Sequence, residues 1–285
     1  MTENEHGASG GKVERTTSNE TAAPGGRFAD LGLRLISAVI LGGIALGALF
    51  EGGFPLLLFL ALFAGAMLWE LARMMRPEAG RLHHLVGATG TLAVIAAALS
   101  PSRAGLGLLL LPLLLGTIAG LHRRPWCWFG YGSAILAATF VLLRLRVMTG
   151  PAEVFWIVAV VIATDVGGYL FGRLIGGPRL LPAVSPGKTW SGTIGGWLGA
   201  ALVGLAFALA FTPEQVVWPM AASLVLSVAA QAGDLLESAI KRRAGVKDSS
   251  RLIPGHGGAL DRFDGMIGAL IVAGIFEAAG LLPHF

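Results

Sequence analysis

The most constraining feature of the sequence is a series of apolar runs, each about 20 residues long, separated by short polar breaks. A helix of about 20 apolar residues spans the hydrocarbon layer of a membrane. Backbone polar groups in lipid must be hydrogen-bonded internally, and runs this long and unbroken do not suit the strands of a barrel. The sequence therefore predicts an all-α integral membrane protein. Nine runs qualify, at about 31–50, 54–72, 82–99, 104–121, 128–147, 152–171, 191–211, 216–237 and 264–281.

The composition supports this class of protein. Hydrophobic residues make up 54% of the chain and charged residues only 13%, against about 25% charged in soluble domains. A disordered chain, an ordinary soluble enzyme and a nucleic-acid-binding domain are excluded, so we expect no nucleic-acid partner. The single cysteine, Cys127, also excludes an intramolecular disulfide and a Cys-rich metal site.

The chain divides into two parts of different character. Residues 1–29 are polar, lack periodic apolar positions and are rich in Gly, Ser, Thr and Glu, which predicts a disordered cytoplasmic tail rather than a signal peptide. A partner-binding role for this tail is the alternative to simple solvation. Residues 30–285 are predicted to form one polytopic membrane domain.

The distribution of Lys and Arg predicts the orientation. With a cytoplasmic N-terminus, all but three of the 21 basic residues fall on the cytoplasmic side, as the positive-inside rule requires. The exceptions are Arg103, Arg144 and Arg146. Nine spans would then place the C-terminus outside. Two cytoplasmic loops, at about 172–190 and 238–263, are long and rich in Gly, Pro, Ser and cations, which predicts function on that face.

Ionisable residues inside spans are costly and are functional candidates. Asp234, Glu237, Ser238 and Lys241 are spaced i, i+3, i+4 and i+7, so they form one stripe on a helix. Carboxylate and hydroxyl oxygens suit a hard cation, with a Lys close to bound phosphate. Two further intramembrane acids, Glu70 and Glu277, are better explained by snorkelling to the interface or by a packed ion pair.

The second long loop adds phosphate-binding chemistry beside more acids. Asp261 and Asp264 open the last span, where helix capping is the competing explanation. The preceding turn, Pro254-Gly255-His256-Gly257-Gly258, exposes backbone N–H groups to an anion. Basic residues surround it: Lys241, Arg242, Arg243, Lys247, Arg251 and Arg262. Together these residues predict a metal–polyphosphate site at the membrane surface.

The first long loop has similar chemistry. Asp165 and Tyr169 share a helix face, and Gly168 and Gly172 are spaced for a tight helix contact. The segment 185–189, SPGKT, is not a Walker A loop, because Pro182 stands where that pattern requires Gly. Ser185, Lys188, Thr189 and Ser191 are nevertheless candidates to meet phosphate oxygens, with an N-cap plus membrane anchoring as the alternative.

Several of these segments resemble the phosphatidate cytidylyltransferase (CDP-diacylglycerol synthase) family. The resemblance rests on Ser238-Ala239-Ile240-Lys241-Arg242, Lys247-Asp248 and the run from Pro254 to Asp264, PGHGGALDRFD, and extends to Asp165…Tyr169…Gly172, Ser185-Pro186…Lys188-Thr189-Trp190…Gly192 and Gly233-Asp234. It covers about residues 30–285.

The resemblance implies a reaction and roles for residues. The family makes CDP-diacylglycerol and pyrophosphate from CTP and phosphatidic acid with Mg²⁺, in the bacterial inner membrane or eukaryotic internal membranes, and a homodimer is expected. Asp234 and Asp261 would be metal ligands with Ser238 alongside, and Asp264 is a further candidate; K⁺ is a second ion to consider. Phosphates would be held by Lys241, Arg242, Lys247 and Arg262, beside the substrate-binding candidates Lys188, Thr189, Ser185, His256, Gly257, Gly258, Asp165 and Tyr169.

Two departures and two alternatives accompany this reading. The family usually has a basic residue where this chain has Gly187 and an acid where it has Ser191. The resemblance therefore implies no role for either position. A multipass transporter would also carry intramembrane acids, but it would not need phosphate-binding chemistry on one face. A related CTP-dependent lipid-phosphate enzyme with another acceptor is the second alternative.

Overall fold

The computed structural model describes the backbone of residues 25–118, 120–121 and 125–285. Residues 1–24 of the expected tail, and Arg123 and Arg124, lie outside this part. Nine α-helices are described: α1 (Gly25–Glu51), α2 (Gly53–Met75), α3 (Leu82–Leu99), α4 (Leu111–Ile118), α5 (Gly132–Met148), α6 (Pro151–Leu174), α7 (Trp190–Phe211), α8 (Val217–Ala244) and α9 (Leu260–Ala278).

Within the described residues, six helical segments are long and apolar enough to cross a membrane. They comprise α2, α3, α6, α7, α8 and the segment Trp126–Met148, in which a π-helical turn (Trp126–Tyr131) leads into α5. The described apolar parts of the first and fourth runs, Ile36–Glu51 and Gly105–Ile118, are shorter. In α9, charged residues occupy both ends. The mostly helical membrane architecture is confirmed, whereas nine spans remain a prediction.

The fourth predicted span, 104–121, is wrong as a single helix. Its first half is a 3-10 helix, Arg103–Leu110, and only the eight residues of α4 continue as α-helix. Pro112 explains the break, because its nitrogen has no hydrogen to donate and the residue is tolerated only in a first helical turn. The amide of Leu111 instead donates to the carbonyl of Leu108.

The purely α-helical prediction also needs a correction. The loop between α6 and α7 contains an antiparallel hairpin of β1 (Arg179–Leu181) and β2 (Ser185–Thr189), with Arg179 opposite Thr189. Gly176 and Gly177, both with positive φ, end the preceding helical path. Prolines at 178, 182 and 186 then keep the segment extended or turned.

Glycines bring α6 and α7 into backbone contact. A Cβ atom at Gly192 would lie 2.6 Å from the carbonyl oxygen of Gly168, and one at Gly167 would lie 2.5 Å from that of Gly195. Small residues permit this approach in a membrane bundle. The tight contact expected at Gly168 and Gly172 is therefore present, and it fixes the spacing of the two helices beside the first long loop.

Two of the three arginines that did not fit the charge pattern, Arg144 and Arg146, have partners within the bundle. Arg146 donates from Nε to the carbonyl of Leu49 and from Nη2 to that of Phe50, at distances of 2.9 and 2.8 Å. These carbonyls belong to the last turn of α1, which lacks intrahelical donors. Arg144 forms a 2.9 Å ion pair with Glu277, so the ion-pair explanation of Glu277 is correct.

Candidate active site

A cavity of about 500 Å³ lies between α6, α7, α8 and the hairpin. It opens where α6 ends and α7 begins. The predicted residues Asp165, Tyr169, Lys188, Thr189 and Asp234 all line it. The other lining residues are Thr164, Gly168, Gly172, Arg173, Leu180, Gly187, Gly192, Thr193 and Gln231. The structure thus brings residues from three predicted motifs, which lie between Asp165 and Asp234 in the sequence, to one cavity.

An ion pair joins the hairpin to α8 across this cavity. Lys188 Nζ lies 2.5 Å from Asp234 Oδ2, and the two side chains are 24% and 30% exposed. The other oxygen of Asp234 accepts a 3.3 Å hydrogen bond from Ser238 Oγ, one turn along α8. Asp234 therefore lines the cavity together with Lys188, and its other oxygen is held by the hydroxyl of Ser238.

The other two residues of the stripe, Glu237 and Lys241, do not line the cavity. Glu237 is fully buried and forms an ion pair with Lys241, whose ammonium also lies 2.8 Å from Asp261 Oδ1. Oε1 of Glu237 has no hydrogen-bond donor among the described residues. Lys241 is 13% exposed and Asp261 7%. The predicted helical stripe therefore divides into an open half at Asp234 and a closed half at Lys241.

Asp261 is held by the loop that precedes α9. Its Oδ2 accepts from Gly258 N at 2.7 Å, Ser249 Oγ at 2.9 Å and Ser249 N at 3.0 Å. Asp261 is absent from the lining of the cavity. The structure therefore places this predicted metal ligand in a nest of donors rather than directly beside Asp234.

Two glycines of the 254–258 turn are required by the close packing of this loop. Gly257 has a φ of +85°, and a Cβ there would lie 2.8 Å from Asp261 Oδ2. A Cβ at Gly258 would collide with Ser249 Oγ. Both positions therefore require glycine for the loop to close on Asp261.

The remaining basic and loop candidates tie neighbouring segments together. Arg242 donates from Nε to the carbonyl of Val184, linking α8 to the hairpin at 3.4 Å. Arg262 Nε donates to the carbonyl of His256 at 2.9 Å, and His256 Nδ1 lies 2.9 Å from Ser37 Oγ of α1. Lys247 is exposed on the loop, and Ser185 begins β2. Thr189 caps α7 by accepting from Gly192 N, as the N-cap alternative expected.

The acids near the cavity suit a hard cation. The charges of Asp165, Asp234 and Asp264 act on one another, and the cations Lys188, Lys241 and Arg262 offset part of this repulsion. Within the described part of the chain, no three acidic, His or Cys side chains are close enough to bind a metal together. Mg²⁺ commonly needs only one or two carboxylates because water and substrate phosphates complete its octahedron. Asp234, with Asp264 nearby, fits that kind of site.

Sequence reasoning missed several residues of the site. Gln231 lines the cavity one turn before Asp234, and Trp197 and the carbonyl of Thr193 fix its amide through 3.0 and 3.1 Å hydrogen bonds. Its i−3 relation to Asp234 was the available signal. Arg173 also lines the cavity and donates to Tyr169 Oη at 2.6 Å.

Comparison with known proteins gives a family. The model of the cytidylyltransferase family matches residues 32–278. A phosphatidate cytidylyltransferase of Brucella suis biovar 1 (strain 1330) is 36% identical over 264 residues, covering 88% of this chain and 94% of that protein. One of Staphylococcus epidermidis (strain ATCC 35984) is 33% identical over 246 residues, covering 81% and 93%. The matched region includes every helix that lines the cavity, and the chain belongs to the cytidylyltransferase family.

Proposed function

We propose that this protein transfers CMP from CTP to phosphatidic acid, producing CDP-diacylglycerol and pyrophosphate for phospholipid biosynthesis. The relatives named phosphatidate cytidylyltransferase support the reaction. The observation that carries it is the cavity bounded by Lys188, Thr189 and Asp234, since cations, a hydroxyl and a carboxylate meet there at the end of an apolar bundle. Such a site can bind both the phosphate of a lipid and the triphosphate of a nucleotide.

The chemistry is a direct displacement. An oxygen of the lipid phosphate attacks the α-phosphorus of CTP, the bond to the β-phosphate oxygen breaks, and pyrophosphate leaves. Lys241, Arg242, Lys247 and Arg262 lie outside the lining of the cavity, on α8, α9 and the loop between them, and are assigned to the triphosphate, where they would stabilise the negative charge that grows on the leaving group. Lys188, on the other side of the cavity, is assigned to the lipid phosphate or to a second part of the triphosphate.

We assign the cofactor Mg²⁺ to Asp234 and Ser238, with Asp264 and Asp261 as the other carboxylates of the site. When bound, the ion would neutralise charge on the attacking and leaving oxygens. Asp234 has a solvent-accessible carboxylate and Asp264 lies close to it. Asp261 contacts Lys241 and also accepts hydrogen bonds from Ser249 and Gly258, so a metal ion bound there would have to replace some of these contacts. K⁺ is proposed as a second ion.

The protein is proposed to lie in the bacterial inner membrane with the cavity on the cytoplasmic side. CTP is cytoplasmic, and both long loops that border the site carry clustered cations. Such cations concentrate anionic lipid at the inner leaflet. A homodimer is proposed from the family resemblance alone, and crosslinking in native membranes tests it.

Position-specific labels on CTP distinguish this function from its alternatives. Purified protein in mixed micelles receives phosphatidic acid, Mg²⁺ and CTP labelled at either the α- or the γ-phosphate. We expect the α-label in the lipid extract and the γ-label in pyrophosphate. A CTP-dependent lipid kinase would put the γ-label into lipid, and a transporter would put neither there. Lack of α-label transfer to phosphatidic acid, with transfer to another lipid acceptor, would replace the proposed substrate.

The proposal that K⁺ is a second ion has its own test, in which choline replaces K⁺ in the buffer of the same assay.

A further inference from the structure

Helix α2 contributes one carboxylate to the interior of the bundle. Glu70 has no exposed surface and lies among apolar residues such as Leu68 and Leu71. No Lys or Arg of the described chain forms an ion pair with it. Snorkelling is therefore wrong for Glu70, and no packed ion pair with a described Lys or Arg is present. A buried carboxylate with no counter-ion has to be stabilised by hydrogen bonds.

Four donors meet this carboxylate, and all come from the segment around the start of α9. Oε1 accepts from Ser250 Oγ at 2.5 Å and Ala259 N at 2.9 Å. Oε2 accepts from Leu260 N at 2.7 Å and Ser249 Oγ at 3.2 Å. The two backbone amides are among those that a helix start leaves without partners. Glu70 thus caps α9 from another helix, 190 residues away along the chain.

The same segment holds Asp261. Ser249 donates its backbone N–H to Asp261, and its hydroxyl lies 2.9 Å from Asp261 and 3.2 Å from Glu70. One hydroxyl hydrogen serves one acceptor at a time, so the two carboxylates share this donor. Asp261 in turn contacts Lys241. A continuous series of contacts therefore connects Glu70 to the closed half of the site without a direct contact between Glu70 and the cavity.

We propose that Glu70 is a positioning residue for the cytidylyltransfer reaction. It fastens both ends of the 249–260 segment to α2, so that Asp261 and Lys241 are held in one arrangement. It touches no substrate. This inference rests on the proposed function for its kinetic consequence, but its structural consequence is independent of which reaction the protein performs.

The test compares Glu70→Gln with a matched control, Glu153→Gln. Glu153 is also a buried carboxylate, 2% exposed, but it lies at the opposite end of the bundle and accepts from Phe285 N. Glutamine keeps the shape of Glu70 and turns one acceptor into a donor that faces other donors. We expect kcat to fall about thirtyfold with KM for CTP nearly unchanged, while Glu153→Gln stays within about twofold of wild type.

Limited trypsin digestion in micelles supplies a readout that does not depend on activity. Lys247 and Arg251 are exposed on the loop. In Glu70→Gln we expect cleavage there to be about fivefold faster than in wild type, with no change in Glu153→Gln. If wild type makes no CDP-lipid, the proposed function fails while the digestion result still decides the role of Glu70.

Equal kcat and equal digestion in Glu70→Gln and wild type would overturn the inference. So would a kinetic loss that Glu153→Gln reproduces, because that would be general destabilisation of the bundle. Should Glu70→Gln not be recovered as a monodisperse protein, Ser250→Ala takes its place, since it removes one donor and leaves three. It is expected to change kcat and loop cleavage in the same directions, and unchanged values would equally reject the proposal.

Discussion

Lys241 lies between two poorly accessible carboxylates, Glu237 and Asp261. A cation in that position holds the two acids together. Its net value for folding is small or negative relative to apolar packing, whereas its removal leaves two buried charges unpaired. This arrangement is better explained by a need for a positive charge at this point of the site than by stability.

Lys241→Met is expected to lower kcat about a hundredfold, because charge on the leaving pyrophosphate builds up only in the transition state. Steady-state kinetics with CTP and phosphatidic acid in mixed micelles measure this. The control is Arg73→Met, an exposed cation on α2 that stacks on Trp69 and should change little. The double variant Glu237→Gln/Lys241→Met removes both members of the buried pair, so it should fold but remain inactive. An equal loss in Arg73→Met would instead indicate general attraction of anionic lipid by surface charge.

Asp234→Asn should reduce turnover at least a thousandfold, or about 4 kcal/mol of transition-state stabilisation. The amide keeps the shape of the side chain but loses the charge that faces Lys188 and the cavity. A second measurement follows the thermal unfolding midpoint with increasing Mg²⁺. Wild type and the exposed-loop control Glu214→Gln should be stabilised by the ion, and Asp234→Asn should not. Asp261→Asn is expected to lose turnover similarly. Near-normal turnover in either aspartate variant would remove its assigned role.

At the scale of elements, the interface of α6 and α7 should not tolerate an added methyl group at Gly192. Gly192→Ala would place Cβ 2.6 Å from the carbonyl of Gly168, so the helices must separate, at a cost of about 1–3 kcal/mol. Thermal unfolding in detergent should show a clearly lower midpoint. Gly47→Ala in α1 is the matched control, since nothing lies within 4 Å of its Cβ position and Ala is the better helix former. Equal midpoints for both variants would show that α6 and α7 are loosely packed.

The elements also show which features the sequence could reveal. The helices follow from apolar runs of about 20 residues, and the stripe from Asp234 to Lys241 follows from helical periodicity. The division of that stripe into an open and a closed half does not, since it depends on how α9 packs against α8. The sequence does not predict the hairpin at 179–189, because its prolines and the glycines before it indicate irregular structure. They do not indicate which residues pair as strands. Glu70 was flagged only as an unusual acid, because its partners lie about 180 residues away.

For the whole molecule, the bundle has two distinct ends, and which of them faces the cytoplasm remains a prediction. Ser37 of α1, Glu70 of α2 and the loops that border the site lie at one end, and Arg146 with the last turn of α1 lies at the other. In a variant with Cys127 replaced, Asp248→Cys should react with a membrane-impermeant maleimide only after the cells are opened. Glu214→Cys, on the opposite end, should react in intact cells. Labelling of both from outside would overturn the orientation and the cytoplasmic placement of the site.

The backbone contact of Gly168 with Gly192 has a consequence for how such a cavity can diversify. One wall of it is main chain, and main chain offers no rotamers or alternative side chains with which to alter its width. A side chain at Gly192 would wedge the helices apart instead of narrowing the space between them, because its Cβ would lie 2.6 Å from the carbonyl oxygen of Gly168. Changes in the size or shape of an accepted lipid must therefore come from the side chains that border the opening, Tyr169, Arg173 and Leu180. The width of the cavity at this wall is therefore fixed by the backbone, and selectivity for the lipid depends on the lining side chains.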